Sequence, residues 1–206
     1  LENARVIFWD FDGVIKDSNE VKSDAFEELF LPFDRNVSKK IRLHHEANVG
    51  MSRFEKIPLY LEWANQEPIT QLVEEYVNKF AVLVKQKVVD SYWVDGVLDY
   101  LVKNYEKQIF FLVTATPQEE IKAILSQLKI EEFFKQVVGS PTHKKAALKL
   151  LITKHSLYPK KAVMIGDSII DYEAAKANQV KFILRKTKLN NELQEQLDCM
   201  IIDNFL

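Results

Sequence analysis

The sequence has few of the features that tie a chain to a special compartment or chemistry. Its 206 residues include one cysteine, Cys199, which excludes an internal disulfide and the usual structural zinc patterns. We therefore expect a reducing compartment and a cytoplasmic location. No apolar run reaches the roughly 18 residues that a membrane helix needs. Residues 1–10 carry no signal-peptide pattern, so we expect no membrane partner.

The sequence also lacks an excess of either charge. It contains 28 lysines and arginines against 30 aspartates and glutamates, which gives a formal net charge of −2. No large basic field is available to hold a phosphodiester backbone, so we expect no nucleic-acid partner. Hydrophobic residues make up 47% and charged residues 28%, which is the balance of a folded domain and not of a disordered chain.

Short apolar runs alternate with helical patterns along most of the chain. Apolar periodicities typical of helices separate these runs from one another. This alternation predicts an α/β fold, with a doubly wound parallel sheet built from βαβ units. The predicted strands are residues 6–9, 109–113, 137–138, 162–165 and 181–184.

One long segment breaks this rhythm, because residues 16–88 contain several amphipathic helices and no convincing strand. Pro58 and Pro68 predict boundaries between these helices, since proline interrupts the helical hydrogen bonds. We predict an inserted α-helical cap at residues 16–88 and a core domain formed by residues 1–15 and 89–206.

Polar side chains follow four of the predicted strands, at the point where each strand ends. In an open parallel sheet, ligands bind beyond these carboxyl ends, so we expect the side chains to converge. Several carboxylates repel one another unless a cation joins them, and an all-oxygen set favours Mg²⁺. A lysine and a threonine hydroxyl add the donors that a phosphate group needs. The converging residues are Asp10, Asp12, Thr114, Lys144, Asp167 and Asp171.

At these positions the sequence resembles the haloacid dehalogenase superfamily. It resembles in particular the capped phosphatases of the phosphoglycolate phosphatase and β-phosphoglucomutase-like group. The resemblance covers nearly the whole chain, and four motifs in the right order at the right strand ends are a specific signal. The motifs stand here as Asp10-Phe11-Asp12-Gly13, residues 112–117 around Thr114, residues 139–144 ending in Lys144, and Gly166-Asp167 through Asp171.

The resemblance implies a role for each of these residues. Asp10 would be the nucleophile that forms an aspartyl-phosphate, and Asp12 would be the general acid and base. Mg²⁺ would be held by Asp10, the main-chain carbonyl of Asp12 and Asp167, with Asp171 next to them and orienting Lys144 or a metal-bound water. The phosphoryl oxygens would be bound by Thr114, Lys144 and the backbone of Ala115.

Three assignments stay open in the sequence. Lys144 competes with Lys145 for the phosphate, and the motif spacing favours Lys144. Arg53 ends a Gly-Met-Ser-Arg segment that looks like the cap loop of the family. It would bind the part of the substrate that is not transferred, or else it faces solvent. His44 and His45 have no visible partner, so we expect them to pack or face solvent and not to bind a ligand.

Several functions are compatible with these residues. The first is a Mg²⁺-dependent phosphatase acting on a small phosphate ester, such as a sugar phosphate or phosphoglycolate. A phosphomutase shares the same motifs and differs in whether cap closure excludes water. A phospho-accepting signalling module or a non-catalytic phosphate-binding protein belongs to a different class. A receiver domain would lack the late motif at Asp167 and Asp171, and Asp12 argues against a dehalogenase.

Overall fold

A parallel sheet of six strands forms the centre of the computed structural model, which describes Leu1 and residues 4–206. The strand order is β3-β2-β1-β4-β5-β6, so the first strand lies between the second and the fourth. This confirms the predicted doubly wound α/β core. The strands are β1 Val6–Trp9, β2 Ile109–Pro117, β3 Phe134–Ser140, β4 Ala162–Gly166, β5 Lys181–Arg185 and β6 Met200–Ile202.

The first strand is buried on both faces, as its unbroken apolar sequence predicts. Ile7 and Trp9 pack into one hydrophobic cluster, whereas Val6 and Phe8 pack into a second cluster on the opposite face of the sheet. Since both faces of β1 are covered, the polar residues that begin at Asp10 lie beyond the carboxyl end of the strand.

The helices lie between the strands and in the insert. The predicted insert, residues 16–88, contains the first four helices, the last of which continues to Asp90. The helices are α1 Asn19–Phe30, α2 Arg35–Ala47, α3 Arg53–Trp63, α4 Thr70–Asp90, α5 Val97–Asn104, α6 Gln118–Leu128, α7 Lys144–Lys154, α8 Ile169–Ala177 and α9 Asn191–Gln196.

Strands β2 and β3 extend beyond the predicted residues 109–113 and 137–138, and two further features differ from the sequence prediction. The boundary predicted at Pro58 is wrong, because Pro58 lies inside α3. A proline there removes one backbone hydrogen bond, but α3 buries Ile57, Tyr60 and Leu61, and this packing holds the helix together. The sixth strand, Met200–Ile202, is too short and too exposed for the pattern to reveal it.

The helices α1 to α4 cover the carboxyl edge of the sheet, where residues of both the insert and the core line one cavity. Several contacts join the insert to the core. Among them, Arg53 pairs with Glu120 at the start of α6, Lys22 pairs with Asp12, and Ser52 Oγ lies 2.9 Å from Ser140 Oγ. In the part of the chain that the structure describes, none of the helices has the length and apolarity to cross a membrane.

Candidate active site

The strand order brings two acidic strand ends together. Strands β1 and β4 are neighbours, and the Asp10 N–H donates a hydrogen bond of 2.9 Å to the carbonyl of Ile165, two residues before Asp167. The chain leaves β1 and β4 at neighbouring positions. Between these two strands the strand order changes direction, from β1-β2-β3 on one side to β4-β5-β6 on the other. This is the position at which open parallel sheets bind ligands.

Three buried carboxylates and one buried lysine form the centre of the site. Carboxylate oxygens of Asp10, Asp167 and Asp171 lie within 4.8 Å of one another. The Lys144 Nζ lies 2.7 Å from Asp10 Oδ2 and 2.6 Å from Asp171 Oδ1. Lys145 is exposed on the same helix, so the fold brings Lys144 and not Lys145 to the carboxylates.

The electrostatics of this cluster show an excess of negative charge. Burial, and then the charge of Asp171, raises the pKa of Asp167 to about 7. Burial and Asp171 also raise the pKa of Asp10 well above its ordinary value, against the opposing effect of Lys144. The charge of Lys144 does not fully offset burial and the repulsion between the carboxylates, and their hard oxygen ligands fit a divalent metal ion.

Asp12 lies in a different hydrogen-bond network from the buried cluster. Ser18 Oγ donates to Asp12 Oδ1 at 2.6 Å, while Thr116 Oγ1, at 3.1 Å, and the Lys22 ammonium donate to Oδ2. Burial alone would raise the pKa of Asp12, but the charge and hydrogen bond of Lys22 lower it below its ordinary value. Asp12 is therefore ionised, with both oxygens held by donors.

Asp167 is positioned by a close approach of the backbone. Asn19 Nδ2 donates to Asp167 Oδ2 at 2.7 Å, and Gly13 lies against both groups. A Cβ on Gly13 would come within 2.1 Å of Asp167 Oδ2 and 2.5 Å of Asn19 Nδ2. The backbone of Gly13 has a φ of +73°, so glycine is required both for space and for conformation.

Asp171 is held by the start of α8. Ser168 caps the helix, and the Asp171 side chain accepts hydrogen bonds from the Ser168 N–H at 3.2 Å and from Ser168 Oγ at 2.5 Å. These bonds use Oδ2, and Lys144 uses Oδ1. Both carboxylate oxygens of Asp171 thus have protein partners, and Lys144 is one of them.

The end of β2 contributes Thr114, Ala115 and Thr116. Thr114 is buried, and its Oγ1 accepts a hydrogen bond of 3.2 Å from the Thr116 N–H. Ala115 lines the same cavity as Asp10, and its carbonyl accepts a 2.7 Å bond from Ser140 Oγ. These contacts fix the strand end beside Lys144, with Thr114 and Lys144 sharing an adjoining cleft.

Arg53 lines the cavity, but its charge already has a partner. Its two terminal nitrogens donate to the two carboxylate oxygens of Glu120 at 2.8 and 2.6 Å, and the guanidinium lies 4.6 Å from the centre of the Phe80 ring. This bidentate pair is almost fully buried. The solvent-facing alternative for Arg53 is excluded, and the guanidinium joins the insert to the core.

The two histidines of the cap do have partners. His44 Nδ1 lies 3.0 Å from the Tyr60 hydroxyl, and His45 Nδ1 lies 2.7 Å from Lys56 Nζ. Sequence reasoning finds no partner for either histidine, because Tyr60 and Lys56 belong to the next helix.

Several residues at the site lie outside the four motifs. Lys22 and Asn19 belong to α1, Thr116 follows the second motif by two residues, and Lys56 belongs to α3. The sequence contains one indication of these residues: Lys22 and Lys56 are lysines on otherwise apolar helix faces. That signal alone does not distinguish a site residue from a solvated one.

Comparison with known proteins identifies the family of this chain. Residues 6–185 match the model of the haloacid dehalogenase-like hydrolase family, which is most of the chain. The chain belongs to that family. The predicted resemblance is therefore confirmed, and so is the predicted enzyme class, a phosphoric monoester hydrolase.

Relatives of this hydrolase carry phosphatase names. Phosphoglycolate phosphatase 1 of Pseudomonas aeruginosa is 24% identical to it, over 98% of this chain and 77% of that protein. The phosphorylated carbohydrates phosphatase of Thermotoga maritima is 23% identical, over 86% of this chain and 82% of that protein.

The fold of the hydrolase also matches solved structures. A mutant of CbbY from Rhodobacter sphaeroides, solved with xylulose-(1,5)bisphosphate, superposes with a TM-score of 0.79 at 16% identity. The match covers 98% of this chain and 95% of that one. At this identity the likeness establishes the fold alone.

The close contact at Gly13 leads to a prediction. Gly13→Ala should lower kcat/KM by about 100-fold, since the new methyl group displaces Asp167 and Asn19 by about an ångström. Gly96→Ala is the matched control: its φ is +74° and its Cβ would meet the Phe205 backbone at 2.8 Å, outside the cavity. Both variants should lose stability in thermal unfolding, and steady-state kinetics should show that only Gly13→Ala loses activity. Equal activity losses would contradict this account.

Proposed function

We propose that the hydrolase is a Mg²⁺-dependent phosphatase that cleaves a small phosphate ester through an aspartyl-phosphate intermediate. The observation that carries this proposal is the convergence of Asp10, Asp12, Asp167 and Lys144 on one cavity. It combines a carboxylate nucleophile, a second carboxylate for proton transfer, a cation-binding set and a phosphate-binding ammonium. The phosphatase names of the relatives support the same reaction.

Asp10 is the nucleophile in this scheme. Its Oδ1 accepts a hydrogen bond of 2.8 Å from the Phe11 N–H, and its Oδ2 faces Lys144. These contacts hold the carboxylate in one orientation for in-line attack on phosphorus. Lys144 and the strand end at Thr114 and Ala115 would then bind the oxygens of the transferred phosphoryl group.

Asp12 transfers the protons. In the first half-reaction Asp12 takes up a proton from solvent and gives it to the leaving oxygen, and in the second the carboxylate takes a proton from the attacking water. Lys22 favours the ionised form, which suits the second half-reaction. Hydrogen bonds from Ser18, Lys22 and Thr116 keep the Asp12 carboxylate in position during both half-reactions.

The metal set fits Asp10 and Asp167 best. Both residues line the cavity, whereas Asp171 does not and is held by Lys144 and Ser168, so we assign it to positioning. Asp12 would contribute its backbone carbonyl, because its side chain is taken by other donors. When bound, Mg²⁺ offsets the repulsion between the Asp10 carboxylate and the anionic phosphate.

A small substrate suits the cavity between the cap and the core. The strand ends and helices α1 to α4 line this cavity, whose volume is about 30 Å³. This is smaller than a typical ligand pocket, so a small ester is favoured over a large one. Phosphoglycolate and phosphorylated carbohydrates, which give the relatives their names, are the first substrates to assay.

The nucleophile is tested by Asp10→Asn, with release of phosphate from a panel of such esters as the assay. We expect kcat to fall by roughly 10⁴-fold or more, because the amide cannot attack phosphorus. Stability should hold or rise, since burial disfavours the charged form of Asp10. Asp17→Asn, at an exposed aspartate nearby, is the control. Turnover within tenfold of the wild type would refute the assignment of Asp10 as the nucleophile.

The same assay tests the phosphomutase alternative. Free phosphate as the product of the wild type excludes a phosphomutase.

The metal set is tested by comparing Asp167→Asn with Asp171→Asn. Titration calorimetry with Mg²⁺ should show at least about tenfold weaker binding for Asp167→Asn, which loses a ligand. Asp171→Asn should bind Mg²⁺ nearly as the wild type does, and should lose kcat because Lys144 is no longer held. Chelation by EDTA should abolish turnover of the wild type. Identical Mg²⁺ titrations for both variants would contradict this division of roles.

The acid and base role is tested by Asp12→Ala with two kinds of leaving group. Alkyl phosphates should lose roughly 10²- to 10⁴-fold in rate, because an alkoxide leaves only when protonated. With p-nitrophenyl phosphate the phosphorylation step should lose much less, and dephosphorylation should become limiting. Rapid-quench kinetics should then show a burst and accumulated phosphoenzyme. Equal losses in both steps and for both leaving groups would mean that Asp12 holds only loop geometry.

A further inference from the structure

The cap side of the cavity differs in charge from the core side. The carboxylates that line the cavity, Asp10, Asp12 and Asp167, all lie at strand ends of the core. The described cap residues that line it include no carboxylate and three cations, Lys22, Arg53 and Lys56. A substrate phosphate bound at Asp10 therefore has its other end next to a cationic wall.

Two of these three cations already have a carboxylate partner. Lys22 pairs with Asp12, and Arg53 pairs with Glu120. Lys56 has no described carboxylate within ion-pair distance, although only 1% of its surface is exposed. Its Nζ lies 2.7 Å from His45 Nδ1 and 5.7 Å from the centre of the Phe26 ring.

His45 is incompletely bonded in the same way. It is 2% exposed, and its Nδ1 is used by Lys56. Its Nε2 is buried and has no hydrogen-bond partner among the described residues. When Nδ1 accepts from the lysine, Nε2 carries the proton, so the cavity wall holds a buried donor without an acceptor.

The charges around Lys56 and His45 are mostly positive. Burial, and then Lys22, lowers the pKa of Lys56 well below its ordinary value, with Glu55 and Asp12 acting weakly in the opposite direction. Burial, and then Lys56, also lowers the pKa of His45, and the other contributions come from cations and His44. An oxyanion next to the pair would supply both the missing counter-charge and the missing acceptor.

We propose that Lys56 and His45 form a subsite for a second oxyanion of the substrate, at the end opposite the transferred phosphoryl group. The proposal rests on the proposed phosphatase function and names its substrate class: phosphate esters that also carry a carboxylate or a second phosphate. Arg53 is not the anion ligand here, because Glu120 balances its charge.

The experiment compares matched esters with and without the second anion. Phosphoglycolate is paired with 2-hydroxyethyl phosphate, and 1,3-propanediol bisphosphate is paired with 3-hydroxypropyl phosphate. The wild type should prefer the anionic member of at least one pair by about 10- to 100-fold in kcat/KM, the range of one charge-assisted hydrogen bond. The pair that shows the preference identifies the anion as carboxylate or phosphate.

Lys56→Met should abolish this preference through a higher KM for the anionic ester, and should leave the neutral ester within about threefold of wild type. His45→Gln should reduce the preference by a smaller factor. Lys79→Met removes an exposed cap lysine that pairs with Glu75, and should change neither ester. Circular dichroism checks folding, and His45→Gln decides the question if Lys56→Met does not fold.

Three outcomes would overturn the proposal. The first is a wild type that hydrolyses the neutral esters and shows no preference for either anion, which leaves the phosphatase function intact. The second is an equal loss for both members of a pair in the folded variants, which is the result of a structural role. The third is a wild type that hydrolyses none of these esters nor p-nitrophenyl phosphate, which removes the proposed function as well.

Discussion

One buried ammonium shared between buried carboxylates holds the site together. Lys144 donates to Asp10 and Asp171 at 2.7 and 2.6 Å, and all three side chains are almost fully buried. Removing such charges from water is costly, and their attraction offsets that cost only when the geometry is good. The surrounding structure supplies this geometry, because each group follows a strand end or starts a helix that the sheet positions.

The strand order is what makes this interaction available. With β1 between β2 and β4, the chain segments that carry Asp10, Thr114 and Asp167 leave the sheet at one edge. Two tight contacts then bring the loops close enough for hydrogen bonding. Gly13 allows Asn19 to reach Asp167, and the capping box of α8 orients Asp171 towards Lys144.

The cap and the core divide the charges of the cavity between them. The core supplies the carboxylates and Lys144, while the cap supplies Lys22, Arg53 and Lys56. Two of these cations bind core carboxylates and so hold the cap against the sheet: Lys22 with Asp12, and Arg53 with Glu120. Because Lys22 and Arg53 are already paired, Lys56 is the one of these three cations that remains available to a ligand.

The sequence by itself determined the alternating strands and helices, the family and the motif residues. Strand ends that follow buried apolar runs are local patterns, and so is the spacing around Asp10 and Asp167. It did not reveal Lys22, Asn19 or Lys56, and it left Arg53 between two interpretations. Those partners lie on different helices, so only the tertiary structure decided which charges meet. A side chain's partner across a cavity depends on helix packing, which one segment of sequence does not encode.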